Sequence, residues 1–296
     1  MTALPYYEDD SVRLLLGDAL DQLQTLADGS VDCIVTSPPY YGLRDYGQPG
    51  QYGQENTPAA YVEQMRQVFA EARRALADEG TLWLNLGDSY SNPSSSGTTG
   101  ATARTRATRG NVQLRASSTE RPTKSLLMIP ERVCLALQDD GWILRNKITW
   151  HKVDAMPESV RDRLARKTEP IYLLTKAQRY HFDLDAIREP QAASTAARSD
   201  SVPGATRNPG DLWAYSLAHY PGAHFATFPL NIPLRCIKAG CKPGGTVLDP
   251  FSGSGTTGAA ARQLGRHYIG IDLNPAYHDL AVNRFAQGVF AFDETA

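Results

Sequence analysis

The stretch V-L-D-P-F-S-G-S-G-T-T-G, at residues 247–258, decides the fold class of this chain. Val247 and Leu248 end a short apolar strand, and the glycines that follow permit a tight turn before an alanine-rich helix over 259–264. A glycine turn between a strand and a helix lets backbone N–H groups approach a bound nucleotide. The stretch therefore predicts an open α/β sheet with a ligand loop at the carboxyl end of this strand.

The acid that ends the next strand extends this prediction. Gly253, Gly255 and Gly258 fit the spacing G-x-G-x-x-G, and Asp272 follows the apolar strand over 268–271. Dinucleotide-binding enzymes use an acid in this position to bind ribose hydroxyls. An NAD-dependent oxidoreductase is therefore one function class that the spacing allows. Because a lone match of this spacing is weak, the choice of class depends on a second motif.

That second motif is T-S-P-P-Y at residues 36–40, directly after an apolar run. Pro38 and Pro39 cannot continue a strand ladder, so they form a stiff turn at the carboxyl edge of the sheet. Ser37 Oγ and the Pro38 carbonyl can accept both hydrogens of an exocyclic NH2 group there, while Tyr40 stacks on the attached ring. The alternative is a rigid turn with a packing tyrosine, because such turns also occur for conformational reasons.

Together, the D-P-F-x-G-S-G-T-T string and T-S-P-P-Y resemble the S-adenosyl-L-methionine (AdoMet)-dependent amino-methyltransferases of DNA, which modify cytosine N4 or adenine N6. The base motif precedes the cofactor motif, as in the class called beta. The resemblance implies that Asp272 binds the ribose hydroxyls of AdoMet and that Asp18 binds its adenine amine. It assigns catalysis to Ser37, Pro38, Pro39 and Tyr40, and cofactor binding to Asp18, Asp249, Phe251, Gly253, Gly255, Thr256 and Asp272. As alternatives, Asp18 and Asp272 could be helix N-caps, and Phe251 could be plain core.

The resemblance covers most of the chain and implies a doubly wound, mostly parallel, seven-stranded Rossmann-like sheet with an antiparallel hairpin. The order is circularly permuted, so that the cofactor loop lies near the C-terminus. We expect a single catalytic domain over 1–296 with a basic flexible insertion over 91–124. A divergent stretch over 191–221 is either a small target-recognition insert or a linker. Its small size leaves the recognised DNA sequence undetermined.

Local patterns fit this sheet. Thr57 as N-cap and Pro58 at the first helical position begin a helix predicted to run through Ala77 and to end at Gly80. Further helices are predicted over 18–26, 125–139, 232–239 and 259–264. Strands are predicted over 12–16, 31–35, 142–150, 171–175 and 268–271, of which 142–150 and 171–175 form the hairpin.

Composition limits the class of protein further. The 296 residues are 42% hydrophobic and 21% charged, as is typical of globular proteins. No apolar run approaches the roughly 20 residues needed to span a bilayer, and the acidic start of the chain lacks a signal-peptide core. We therefore expect a cytoplasmic, nucleoid-associated protein of a prokaryote or phage, with no membrane partner. The four cysteines form no C-x-x-C pair, so we expect reduced thiols and no metal.

The charge distribution predicts where double-stranded DNA contacts the chain. The net charge of −2 does not favour a polyanion, but basic residues cluster in the polar segment 91–124. We expect that segment to order on the DNA backbone; the alternative is a solvated surface loop. The predicted DNA-binding residues are Arg104, Arg106, Arg109, Arg115 and, in an I-x-W-x-K motif, Lys152. A second basic run over 161–167 is either a DNA contact or an exposed helix face paired by Asp162 and Glu169.

The serine in T-S-P-P-Y indicates which amine is methylated. The family tendency is Ser before P-P-Y for cytosine N4 and Asp or Asn for adenine N6. The sequence therefore predicts a site-specific DNA (cytosine-N4-)methyltransferase that acts on a flipped base, with adenine N6 as the alternative. Two intact motifs argue against a non-catalytic DNA-binding module, and an oxidoreductase does not explain T-S-P-P-Y. A homodimer and a cognate restriction endonuclease stay open as partners.

Overall fold

A computed structural model describes residues 4–91, 121–155, 157–191, 205–217 and 228–286. In these residues the strands are β1 (Tyr7–Glu8), β2 (Val12–Leu16), β3 (Val31–Thr36), β4 (Leu76–Asn85), β5 (Ile143–Lys152), β6 (Thr168–Thr175), β7 (Glu189–Pro190), β8 (Thr206–Arg207), β9 (Leu212–Tyr215), β10 (Thr246–Asp249) and β11 (His267–Asp272). The helices are α1 (Ala19–Gln24), α2 (Pro58–Ala75), α3 (Ile129–Asp139), α4 (Asn231–Gly240), α5 (Thr256–Gln263) and α6 (Pro275–Ala286), with a short 3-10 helix at Asp185–Ile187.

The main sheet confirms the predicted architecture. Its order is β1-β2-β11-β10-β3-β4-β6-β5-β9, and β7 pairs separately with β8. Strands β2, β11, β10, β3 and β4 are mutually parallel, whereas β6 is antiparallel to both β4 and β5. The seven expected strands form the centre of the sheet, and the short strands β1 and β9 extend its two edges to nine. Strand β10 lies in the middle although it comes late in the chain, which is the predicted permutation.

The chain winds outward from β10 and β3 in opposite directions. Strand β10 leads through α5 to β11 on one side, and β3 leads through α2 to β4 on the other. The loops that follow these two strands therefore leave the same edge of the sheet at a topological switch point, where open α/β sheets bind ligands.

Helices cover both faces of the sheet, because successive strand residues point to opposite sides. In β3, Ile34 packs with the buried residues of α1, α2 and α3. Its neighbours Cys33 and Val35 pack on the other face with α4, α5 and α6. A strand buried on both faces is apolar without alternation, as the sequence of β3 is.

Helix α2 begins where the sequence predicts and ends earlier. Thr57 accepts a hydrogen bond from the Ala60 N–H at 3.1 Å, and Pro58 is the first helical residue. The predicted end at Ala77 with a stop at Gly80 is wrong, since the helix ends at Ala75 and Gly80 lies inside β4. The pairing of β3 with β4 shifts register between residues 31 and 33, so the glycine belongs to a bulge and not to a helix cap.

The start of α3 also differs from its prediction at residue 125. The Ser125 carbonyl instead accepts from the Ser91 N–H at 2.8 Å, and Leu126 forms a β-bridge with Tyr90. The first helical N–H groups are satisfied by Asp88, whose carboxylate accepts from Met128 at 3.1 Å and from Ile129 at 3.0 Å. Because Asp88 lies about 40 residues earlier in the chain, local sequence did not reveal this cap.

Two further observations concern the described residues alone. All four cysteines are buried and have free thiols. Among the helices that the structure describes, none is both long enough and apolar enough to cross a bilayer.

We expect Thr57→Ala to lower the free energy of unfolding by about 1 kcal/mol, because it removes the side-chain acceptor at the start of α2. Thr57→Ser keeps that acceptor and serves as the control. Urea denaturation of the three proteins measures the difference. An equal loss in both variants would assign the effect to packing of the threonine methyl group.

Candidate active site

The loops after β10 and β3 are joined by one buried carboxylate. Asp249, the last residue of β10, accepts hydrogen bonds from Thr36 Oγ1 at 2.7 Å and from Thr257 Oγ1 at 2.8 Å. Its Oδ1 also accepts from the Phe251 N–H at 3.0 Å. Burial raises the pKa of Asp249 to about 6. The predicted cofactor residue Asp249 thus ties T-S-P-P-Y to the glycine loop, and its contact with AdoMet stays a prediction.

A cleft of about 390 Å³ opens above this junction. The structure brings to its wall nearly all the described residues that the sequence assigned to the site, namely Asp18, Ser37, Pro38, Pro39, Tyr40, Lys152, Asp249, Phe251, Gly253, Thr256 and Asp272. Gly255 does not line the cleft. It lies below, with a φ of 74°, where an added Cβ would come within 2.8 Å of the Ala281 Cβ. Arg104, Arg106, Arg109 and Arg115 fall outside the described residues.

One end of the cleft is built from the glycine loop and Asp272. The Asp272 carboxylate accepts from the N–H of Gly253 and from that of Asn274, both at 2.8 Å. Burial raises the pKa of Asp272 to about 6. Ser254 Oγ is buried without a hydrogen-bond partner among the described residues, so a polar atom is left for a ligand. Phe251 is half-buried at the wall, with its ring 5.5 Å from that of Tyr52 in an edge contact.

Asp18 lies at the same end and caps α1. Its Oδ1 accepts from the N–H of Leu20 at 2.8 Å and from the Tyr52 hydroxyl at 3.2 Å. The N-cap alternative therefore describes contacts that are present, while binding of an adenine amine stays a prediction.

The other end of the cleft surrounds Ser37. Its hydroxyl lies 3.2 Å from the Tyr40 hydroxyl and 3.3 Å from Asn85 Oδ1, and donates to this pair. The Tyr40 hydroxyl lies 2.9 Å from Glu169 Oε2 and 3.0 Å from Asn85 Oδ1. Asn85 Nδ2 donates to the Pro170 carbonyl at 3.1 Å. The serine of T-S-P-P-Y is thus held by a polar cluster, and its role as acceptor for an amine stays a prediction.

Tyr40 is fixed by packing as well as by hydrogen bonds. An added Cβ at Gly87 would lie 2.2 Å from its ring, so a glycine is required beneath the tyrosine. Burial, followed by the negative charge of Glu169, raises the pKa of Tyr40 well above its ordinary value, and the phenol stays protonated.

Sequence reasoning missed Asn85 and Glu169 as site residues. Asn85 ends β4, so a polar residue at the carboxyl end of a parallel strand was an available signal. Glu169 is the second residue of the antiparallel strand β6, whose start lies at the edge where the parallel strands end. Recognising it required the strand order.

The basic residues near the cleft make contacts within the protein. Lys152 forms an ion pair with Glu169 and lies over the Trp150 ring, with Nζ 4.9 Å from the centroid. In the run 161–167, Arg163 pairs with Glu158 and stacks on Tyr90 at 4.3 Å. The exposed-helix alternative for this run is wrong, since residues 161–163 form a bend and Asp162 pairs with Lys124 at 2.6 Å. DNA contact by this run and by Lys152 stays a prediction.

The predicted insert over 191–221 is described only in part. Its described residues include β9, which adds to the edge of the sheet by pairing in parallel with β5. Trp150 Nε1 donates to the Tyr215 carbonyl at 3.2 Å across this edge. Target recognition by the insert stays a prediction.

A permuted, doubly wound sheet with a glycine loop beside a T-S-P-P-Y loop is the arrangement of the AdoMet-dependent amino-methyltransferases. The model of the N6/N4 DNA methylase family matches residues 31–283. Type II methyltransferase M.Cfr9I of Citrobacter freundii is 45% identical, covering 94% of this chain and 88% of the relative. Type II methyltransferase M.SmaI of Serratia marcescens is 43% identical, over 93% and 90%.

Solved structures share the fold. The PvuII DNA methyltransferase (cytosine-N4-specific) aligns with a TM-score of 0.70 at 20% identity, covering 97% of this chain and 90% of that one. A putative DNA modification methylase from Thermus thermophilus, complexed with AdoMet, aligns with a TM-score of 0.59 at 24% identity, over 94% and 96%. This chain belongs to the N6/N4 DNA methylase family, and its cofactor is AdoMet.

The residues present fit that cofactor. The glycine loop, the carboxylate of Asp272 and the unpaired Ser254 hydroxyl offer the close backbone approach and the acceptors that a ribose and a methionine moiety need. AdoMet supplies a methyl group on a sulfonium, and the chain supplies the geometry.

We expect Asp272→Asn to weaken AdoMet binding by about 10- to 100-fold, because a hydrogen bond to a charged group contributes about 1.5–3 kcal/mol. Asp279→Asn removes the same charge outside the cleft and is the matched control. Isothermal calorimetry measures both affinities. Unchanged binding in Asp272→Asn would return this residue to a structural role.

We expect AdoMet binding to weaken as the pH falls through about 6, where Asp272 becomes protonated. Its pKa lies above the unfolded value, so the folded protein binds more protons and protonation of this group does not destabilise the fold. The pKa of Asp249 is raised to about 6 as well, and the same sign holds for it, so neither carboxylate favours unfolding in this range. Calorimetric titrations across this range should show the decline in the wild type, and little of it in Asp272→Asn.

Proposed function

We propose that this protein is a site-specific DNA methyltransferase that transfers the methyl group of AdoMet to N4 of a flipped cytosine in duplex DNA. The observation that carries the proposal is Ser37, held with its hydroxyl hydrogen directed to Tyr40 and Asn85. Its lone pairs are then available to accept from an amine. The PvuII enzyme, described as cytosine-N4-specific, has the same fold, so the fold accommodates this reaction.

The chemistry is difficult because the lone pair of the amine is delocalised into the base. If Ser37 Oγ and the Pro38 carbonyl accept the two amino hydrogens, the nitrogen becomes pyramidal and its lone pair can point at the sulfonium methyl group. The displacement is in line and needs no covalent intermediate. Orientation of this kind supplies about 7–11 kcal/mol when the reacting atoms are about 3–3.5 Å apart.

The depth of the site requires the base to leave the duplex. Ser37 is half-buried at the wall of the cleft, and a stacked base cannot reach it. Tyr40 lines the same wall and offers a ring on which the flipped base can stack. Such stacking contributes about 1–3 kcal/mol and offsets part of the unstacking cost.

Several further roles belong to this proposal. The arginines of the segment 91–124 are proposed to contact DNA phosphates, and the target sequence is proposed to be read by residues around 191–221. A cytoplasmic location, a homodimer and a cognate restriction endonuclease stay predictions from the sequence. Adenine N6 is the alternative substrate atom, and the same experiment distinguishes the two.

The test of the proposal is to express the chain in a host that lacks DNA methylation and to analyse its nucleosides by mass spectrometry. We expect N4-methylcytosine. Methylation of adenine N6 in its place would support the alternative, and unmodified DNA would contradict both. Sequencing the modified positions would identify the target site.

We expect Ser37→Ala to keep AdoMet affinity and to reduce methyl transfer by about 100-fold or more, since Ser37 acts on the amine alone. Calorimetry measures the first quantity and single-turnover incorporation of labelled methyl the second. Ser11→Ala, on the loop before β2 and outside the cleft, is the control. A single-turnover rate unchanged in Ser37→Ala would remove the hydroxyl from the mechanism.

A further inference from the structure

The polar cluster around Ser37 ends in a carboxylate that the proposed reaction has not used. Glu169 Oε2 lies 2.9 Å from the Tyr40 hydroxyl and 3.4 Å from Asn85 Nδ2. Its other oxygen, Oε1, is paired with Lys152. The side chain of Glu169 is only 16% exposed and that of Lys152 only 20%, so solvent does little to screen this pair.

The donor and the acceptor of each hydrogen bond in the cluster can be assigned. A carboxylate can only accept, so the Tyr40 hydroxyl donates to Glu169, which is its charged neighbour and its closest one. The Tyr40 oxygen is then free to accept, together with Asn85 Oδ1, from the Ser37 hydroxyl. The Ser37 oxygen in turn is left to accept from a group in the cleft. The direction of donation therefore runs from the cleft to Glu169.

We infer that Glu169 is a positioning residue for methyl transfer, which acts on the reacting amine through Tyr40 and Ser37. The inference rests on the proposed function of Ser37 as acceptor for the amine. Hydrogen bonds in a chain polarise one another, so a negative charge at the far end makes Ser37 Oγ a stronger acceptor. It does so at the moment when positive charge develops on the amine nitrogen.

The same series of hydrogen bonds, from Ser37 through Tyr40 to Glu169, gives the amine proton a path. When the N–CH3 bond forms and the S–CH3 bond breaks, the nitrogen gains a positive charge and releases one proton. That proton passes to Ser37 Oγ, the serine hydrogen passes to the Tyr40 oxygen, and the tyrosine hydrogen passes to Glu169 Oε2. The products are the methylated amine, the thioether and a neutral carboxylic acid. No further reactant is required, and the acid later returns its proton to water.

The competing explanation is that Glu169 only neutralises Lys152. That role would use Oε1 alone, yet Oε2 is directed to Tyr40 and Asn85. Tyr40 also has another acceptor, Asn85 Oδ1, at 3.0 Å, so Glu169 is not needed merely to satisfy its hydroxyl. The two explanations differ in what happens when the Tyr40 hydroxyl is removed.

The experiment is a double-mutant cycle of Glu169→Gln and Tyr40→Phe. The first change keeps the shape of the side chain and removes its charge, and the second keeps the ring and removes the hydroxyl. Single-turnover methyl transfer is measured with DNA and AdoMet saturating, and the affinities for both are measured separately. Glu131→Gln is the matched control, because Glu131 pairs with Lys147 of the same strand β5 outside the cleft, at 2.6 Å.

We expect each single variant to lower the single-turnover rate by about 100-fold, the low end for a positioned proton acceptor, with both affinities near wild type. The double variant should be no slower than the slower single variant, because both changes interrupt the same series of hydrogen bonds. The control should react at the wild-type rate. This pattern would separate positioning from a structural role, which would weaken binding or stability and not the rate alone.

Three results would overturn the inference. They are a wild-type rate in Glu169→Gln, a double variant slowed by the product of the single effects, and a loss of rate explained by lost affinity. If Glu169→Gln does not fold, Tyr40→Phe alone decides. A rate near wild type in that variant would show that the Tyr40 hydroxyl does not link Glu169 to Ser37 in the reaction. An inactive wild type would refute the proposed function and this inference together, whereas an active wild type with an active Glu169→Gln would refute the inference only.

Discussion

The buried carboxylate of Asp249 is the constraint on which the site depends. A buried charge is costly unless its oxygens are hydrogen-bonded, and here the hydroxyls of Thr36, at the end of β3, and Thr257, in α5, supply those bonds. Burial still raises the pKa of Asp249 to about 6, so these hydrogen bonds do not fully offset the cost of burying its charge. If the end of β3 moved away from α5, the Asp249 carboxylate would lose one of these hydrogen bonds. The cost of leaving a buried carboxylate without its hydrogen bonds therefore keeps the end of β3 next to the start of α5, in addition to the attraction of the bonds themselves.

This junction depends on the order of the strands, which brings the two loops to one edge of the sheet. Neighbouring parallel strands end at one edge, and the pairing of Leu248 with Ile34 places the two loops side by side. A displacement of about 1 Å can cost on the order of 100-fold in rate, so both loops need a rigid base. The antiparallel strand β6 starts at this edge and adds Glu169. One reversed strand thus contributes a charged group where parallel strands contribute loops.

The sequence predicted what local patterns determine. T-S-P-P-Y, the glycine loop and the cap at Thr57 could be recognised, because each depends on neighbours in the chain. The permuted, doubly wound sheet was predicted from the resemblance to a family and not from local patterns. Three features could not be recognised in either way. The bulge at Gly80, the cap that Asp88 gives to α3 and the place of Glu169 in the cleft each depend on partners far away in sequence. From the sequence alone, Glu169 enters only one alternative, as a partner on an exposed helix face, because the direction of its strand is needed to place it.

In the proposed reaction, the polarity of the cluster would also select the kind of base that reacts. The Ser37 hydroxyl donates to Tyr40 and Asn85, so its oxygen is left as an acceptor at the cleft. The proposed function adds the Pro38 carbonyl as the second acceptor. An exocyclic amine has two hydrogens for them. The carbonyl of thymine or guanine in the same place has none, and it would leave two acceptors unpaired while setting oxygen against oxygen. A site built around such hydrogen bonds rejects an analogue that lacks them by about 10⁴–10⁵. Under the proposed function, the fixed direction of the Ser37 hydroxyl therefore favours a base with an exocyclic amine, whatever the rest of its ring.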